Sequence, residues 1–185
     1  MTAATIQLVS PRLILRPWQD RDRAPFATMN ADPGVMRYFP ALMTQEESDA
    51  AADRYNQQLD RDGFTMFAAE DRATGNLIGI LGAQTMRYEI PNVPQPAVEI
   101  GWRLASHAQG RGLATEGAQA VLDHLRNHTT LTEVIAITTP DNEPSQNVMR
   151  KLGMTPRPEL TFAHPLIAPD SPRRQHVLYT LELTR

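Results

Sequence analysis

Apolar positions recur along the chain with two different periods, and the element changes where the period changes. Residues 12–18, RLILRPW, set Leu13 and Leu15 against Arg12, Ile14 and Arg16, the alternation of a half-buried strand. Asp20 or Asp22 then caps a short helix with Pro25 in its first turn and Phe26 and Met29 on its buried side. Asp32-Pro33-Gly34 breaks that helix. Thr44 and Glu47 form a capping box for a second one, whose Ala51, Ala52, Tyr55 and Leu59 make a stripe and which Asp62-Gly63 ends. Two strands follow at 64–71 and 76–86, joined by the hairpin connection Arg72–Gly75. The proline-rich segment 90–96 is a loop.

The second half alternates strands with helices. In 97–104, Val98, Ile100, Trp102 and Leu104 alternate with Glu99, Gly101 and Arg103. Ala114, Ala118, Val121, Leu122 and Leu125 then recur at helical spacing. Residues 132–139 are almost continuously apolar, which predicts a central strand covered on both faces. Asp141 or Asn142 caps the next helix, with Pro144 in its first turn, Val148, Met149 and Leu152 inward and Gly153 at its end. The tail 156–172 is irregular apart from a short strand in 160–164, and 175–183 is the last strand. The order β-α-α-β-β-β-α-β-α-β predicts an α/β fold: a mixed central sheet with antiparallel N-terminal strands and a β-α-β-α-β C-terminal half. No repeat or linker interrupts it, so residues 1–185 read as one domain with its core at about 10–183.

Composition narrows the function. With 41% apolar and 21% charged residues, the chain of 185 buries roughly 70% of its unfolded surface, as a globular domain does. A net charge of −3 argues against a nucleic-acid partner. The absence of cysteine removes disulfides, zinc ribbons and thiol nucleophiles together. No apolar run is long enough to span a bilayer, and the polar N-terminus reads as that of a cytoplasmic protein rather than a signal peptide.

Chemistry concentrates in SHAQGRGLATEG, residues 106–117, where a glycine-rich turn opens into a helix. A P-loop needs a lysine-hydroxyl pair that is missing here. A dinucleotide-binding turn needs a third glycine where Thr115 stands. The pattern Q/R-x-x-G-x-G/A does fit, filled by Gln109, Gly110, Arg111, Gly112, Leu113 and Ala114. Backbone N–H groups there can converge on a pyrophosphate at the positive end of the helix, with Thr115 adding a hydroxyl and Arg111 a charge. A plain strand-to-helix turn is the alternative.

This turn resembles the acetyl-CoA pyrophosphate loop of the GNAT N-acetyltransferase superfamily, and the wider pattern resembles its RimJ/RimL branch of ribosomal-protein acetyltransferases. SPRLILRPW, VEIGWRL, GRGLATEG, NEPSQNVMRKLGM (142–154) and HVLYTLEL carry the resemblance, in consistent order over about residues 10–183. Gln109 and Leu113 depart from it, standing where that branch often has Trp and Tyr, and Met154 replaces the usual aromatic.

The resemblance implies acetyl-CoA as co-substrate, no metal, and transfer of the acetyl group by direct attack of a primary amine: a protein N-terminus or a small molecule such as an amino acid, polyamine or antibiotic. The acceptor pocket would be built from 18–62, 87–96 and 156–174. Pantetheine would lie between the strands 97–104 and 133–139, against the backbone of Trp102, Arg103 and Leu104. Glu99 is the implied general base; the other reading is a carboxylate solvated at the sheet surface or paired with Arg103 or Arg87. Many members place a tyrosine where Met149 stands, and a thioether donates no proton. In this branch the proton donor to the thiolate maps to Ser145, which is otherwise a capping residue. Asn142 contacts the pantetheine amide or caps its helix. Lys151 and Arg150 reach toward the CoA 3′-phosphate or complement the helix dipole. His164 and His176 are candidates on the acceptor side, while His124 and His128, four residues apart, have no third ligand to make a metal site. A non-catalytic acyl-CoA-binding regulatory module of the same fold is the alternative function, and related enzymes are often homodimers.

Overall fold

A computed structural model describes residues 6–184 of the chain. Nine strands form a sheet in the order β1-β2-β3-β4-β5-β6-β9-β7, with β8 attached to β9. The strands are β1 (Leu8–Val9), β2 (Leu13–Arg16), β3 (Met66–Asp71), β4 (Leu77–Thr85), β5 (Val98–Leu104), β6 (Glu133–Thr138), β7 (Thr155–Pro156), β8 (Phe162–Ala163) and β9 (Gln175–Glu182). The helices are α1 (Asp20–Asn30), α2 (Gln45–Asp62), α3 (Leu113–His128) and α4 (Glu143–Lys151). Every pairing is antiparallel except that of β5 with β6. The mixed α/β sheet and its β-α-β-α-β second half are those expected. The two-residue strands β1 and β7 are additions, too short to leave a pattern.

The sheet is covered on both sides. On one face Leu13, Leu15, Phe67, Leu81 and Ile100 pack with Val121, Leu122 and Leu125 of α3 and Met149 of α4. On the other, Ala68 and Ile80 meet Phe26 and Met29 of α1 and Ala51 and Ala52 of α2. β6 serves both sides, with Val134 and Ala136 in the α3 layer and Ile135 in a third cluster with Ile90, Val93 and Phe162. That is the two-sided burial its apolar run demands.

Helix ends follow local chemistry. Thr44 Oγ1 accepts from Glu47 N–H at 3.2 Å and Glu47 returns the bond at 2.8 Å, closing the expected capping box. At α1 the expected boundary is corrected. Gln19, not Asp20 or Asp22, is the N-cap, and Pro25 lies inside the helix rather than in its first turn. Asp22 is drawn one turn inward because its buried carboxylate accepts from Arg16 Nη1 and Nη2 at 2.6 and 2.9 Å and from Gln19 N–H at 2.9 Å.

Candidate active site

The parallel ladder between β5 and β6 stands in register at a single pair, Glu99 opposite Ile135. On its other edge β5 pairs with β4 along its full length. Past Glu99 the two parallel strands part, which leaves one edge of Trp102, Arg103 and Leu104 without a strand partner among the described residues. A gap inside a sheet exposes backbone N–H and C=O groups that need partners. The Leu104 carbonyl has one already, Gln109 Nε2 at 2.9 Å, which ties the following turn back to β5.

That turn delivers α3. Gly110 and Gly112 have φ of 72° and 78°, a region that excludes most side chains, and Gly112 is the N-cap. No side chain caps the helix. The first N–H groups of an α-helix have no partner within it, so those of Leu113, Ala114 and Thr115 face the opened ladder at the positive end of a 16-residue helix. Glu116, the one acidic residue of that first turn, is engaged elsewhere: it holds Arg12 at 2.7 Å and accepts from Ser10 Oγ at 2.7 Å. The donors, the two glycines and the adjacent gap fit a pyrophosphate with an extended arm attached.

These parts line one cavity of about 650 Å³. Every residue expected in the site borders it except Arg111 and Arg150. Arg111 is exposed, and its carbonyl accepts from Arg12 Nη1 at 2.9 Å. Glu99 and Ser145 reach the cavity from different elements, a strand and a helix first turn. Glu99 is half-buried and forms no ion pair with Arg103 or Arg87; among the described residues its one side-chain hydrogen-bond partner is Gln84 Nε2 at 2.9 Å. Burial pushes its carboxyl up to about 7, with the Gln84 hydrogen bond acting against that rise. A carboxyl poised near neutrality can take up a proton at working pH. Asn142 caps α4: its Oδ1 accepts from Ser145 N–H at 3.3 Å and its Nδ2 donates to Thr138 Oγ1 at 2.8 Å. The cap is therefore Asn142, which leaves the Ser145 hydroxyl out of it.

A model of the acetyltransferase (GNAT) domain matches residues 12–155. The chain belongs to the GNAT acetyltransferase family. This GNAT protein is 33% identical over 153 residues to the uncharacterized protein YkkB of Bacillus subtilis, covering 82% of this chain and 86% of that one. Among solved structures, a GNAT-family acetyltransferase from Bacillus anthracis superposes with a TM-score of 0.76 at 24% identity, over 96% of this chain and 99% of the other. RimL, a ribosomal L7/L12 alpha-N-protein acetyltransferase solved with coenzyme A, gives 0.76 at 17% identity, over 96% and 98%. At these identities the two structures speak for the fold.

Sequence patterns missed part of what this GNAT domain brings to the cavity. Tyr88 Oη and His164 Nε2 lie 2.7 Å apart, and the His164 ring sits 5.0 Å from that of His176. Burial, then His176, lowers His164 to about 4; burial also lowers His176. Burial, then the Glu99 charge, raises Tyr88. The cluster is accordingly neutral at pH 7. Tyr88 and Gln84 left no periodic signal, one in a loop and the other at a strand end. Lys151 borders the cavity, whereas Arg150 turns to Glu143 at 2.5 Å. His124 bonds the Gly63 carbonyl at 2.8 Å and packs on His128. Among the described residues, no three His, Cys, Asp or Glu side chains are grouped to hold a metal ion.

Proposed function

We propose that the protein transfers the acetyl group of acetyl-CoA to a primary amine by direct attack, with Glu99 as general base and Ser145 as proton donor to the departing thiolate. The observation that carries this reading is that Glu99, raised to about 7, shares one cavity with the uncapped N-terminus of α3. The N–H groups of Leu113, Ala114 and Thr115 would hold the pyrophosphate. The open edge of Trp102–Leu104 would bind the pantetheine arm and polarise the thioester oxygen. Acetyl-CoA supplies an activated acyl group. The protein holds that group still. Glu99 takes one proton from the incoming ammonium, and the freed amine forms the C–N bond as the C–S bond breaks. The Ser145 hydroxyl beside the positive end of α4 protonates the sulfur, and the second nitrogen proton, shed as the amide forms, restores that hydroxyl. Glu99 in its ionised form begins the cycle, so activity rises as pH climbs through about 7.

The test is ligand stabilisation followed by turnover. Acetyl-CoA raises the melting temperature, and ATP or NAD at equal concentration does not. Thiol is then released only when an amine is present. No stabilisation by acetyl-CoA refutes the reading. Stabilisation without thiol release over a broad amine and peptide panel would leave an acyl-CoA-binding module in its place.

A further inference from the structure

The face of β5 that carries Glu99 also carries Arg103, and the fold treats this arginine unlike Arg16. Arg16 is buried and Arg103 half-buried, and Arg16 is gripped by Asp22 at 2.6 Å and Glu70 at 2.7 Å. Arg103 has no carboxylate within 4.0 Å among the described residues. Its Nη1 lies 3.1 Å from Met36 Sδ and 3.9 Å from Met43 Sδ, both weak acceptors. Its guanidinium carbon stands 4.9 Å from the Phe39 ring and 5.8 Å from that of Phe26. Its Nε is buried with no hydrogen-bond partner. Burial lowers its pKa, and the only opposing influence comes from Tyr55.

A half-buried cation whose Nε is sealed from water and which has no anion beside it is costly unless a ligand supplies one. Arg103 borders the cavity, so a ligand can reach it. The charge inside the cavity agrees. Arg87, Arg103 and Lys151 line it, and among the described residues Glu99 is the one carboxylate that does. The segment folded over Arg103 comes from the connection between α1 and α2, on the face of the sheet opposite α3. That places the guanidinium away from the helix N-terminus that would take the pyrophosphate.

We infer that Arg103 is a specificity residue for the acceptor, and that the acceptor is a primary amine carrying a carboxylate at a distance from the reacting nitrogen. This rests on the acetyltransferase reading above. Glu99 and Arg103 are four residues apart on one strand, roughly 13 Å of backbone. One end of the acceptor meets the base and the other meets the guanidinium, so amine and carboxylate belong to different ends of the molecule. Polyamines and polycationic antibiotics fit this charge pattern badly.

Matched ω-amino acids and their amides test it, because each pair differs only in the charge. With 6-aminohexanoate and its shorter and longer homologues as acceptors, the wild type favours the acid over the amide at least tenfold in kcat/KM, with an optimum chain length. Arg103→Gln brings that ratio to about one by lowering turnover of the acids roughly ten- to hundredfold, the loss of one charge-assisted bond. Arg103→Lys, which keeps the charge without the forked donor, retains an intermediate preference. Equal use of acid and amide by the wild type overturns the inference, as does a preference unchanged in Arg103→Gln. A variant whose KM rises for acetyl-CoA and not for the acceptor also overturns it, since it assigns the guanidinium to the cofactor. In each of these cases acetyl transfer itself persists. A wild type that neither is stabilised by acetyl-CoA nor releases thiol with any amine removes the underlying reading as well.

Discussion

Glu99→Gln separates stability from catalysis in opposite directions. The carboxyl titrates near 4.5 in a solvated chain and near 7 in the folded protein, so between those values the folded state binds more protons than the unfolded state. Stability attributable to this group therefore falls as pH rises from about 4.5 and levels off above about 7. The full difference corresponds to about 3 kcal/mol at about 1.36 kcal/mol per pH unit. Solvent in the cavity screens part of this, leaving about 1–3 kcal/mol. Glutamine keeps an oxygen to accept from Gln84 and never ionises. The variant should match the wild type at pH 4.5 and melt roughly 3–9 °C higher at pH 8. His164 and His176 titrate alike in both proteins, so the difference between them isolates Glu99. Over the same range its kcat/KM should fall by about 10²–10⁴ and lose the rise through pH 7. Calorimetry from pH 4.5 to 8, paired with a thiol-release assay, reads both. A variant no more stable than the wild type at pH 8 refutes the desolvated carboxylate, and wild-type kcat/KM at every pH refutes the base.

Other substitutions probe single parts of the account. Ser145→Ala should leave thermal stability within about 0.5 kcal/mol, because Asn142 is the cap, yet slow thiol release; Asn142→Ala should cost about 1 kcal/mol in a denaturant melt. Gly112→Ala, at φ 78°, should weaken acetyl-CoA binding by at least tenfold in calorimetric titration, since the strain falls on the turn that aims the α3 N–H groups. Gly82→Ala should unfold or severely destabilise the protein, because the added carbon would land on the Thr65 carbonyl oxygen and 2.6 Å from Met66 Cα, forcing β3 and β4 apart.

The sequence carried most of the sheet because its signals are local. The Thr44/Glu47 box, the apolar run of β6 and the stripe of α3 each act within one element. The boundary of α1 departs from the cap pattern because Asp22 answers to Arg16 on a different element, a contact that no cap rule contains. The site divides in the same way. Glycine turns and strand alternation placed Glu99 and Arg103 on one face of β5. They could not show that Met36, Met43 and Phe39 would close over Arg103 without a carboxylate, nor that Gln84 and Tyr88 would come to stand around Glu99. Those neighbours are set by how α1, α2 and the loops dock, and docking leaves no period in the chain.

The central claim is acetyl transfer from acetyl-CoA to an amine in the cavity that joins Glu99 to the start of α3. Mass spectrometry of an amine panel incubated with protein and acetyl-CoA tests it most directly. The expected product is an acceptor heavier by one acetyl group, formed one for one with free CoA thiol and suppressed in Glu99→Gln. CoA release with no acetylated amine, or equal product from that variant, would contradict it.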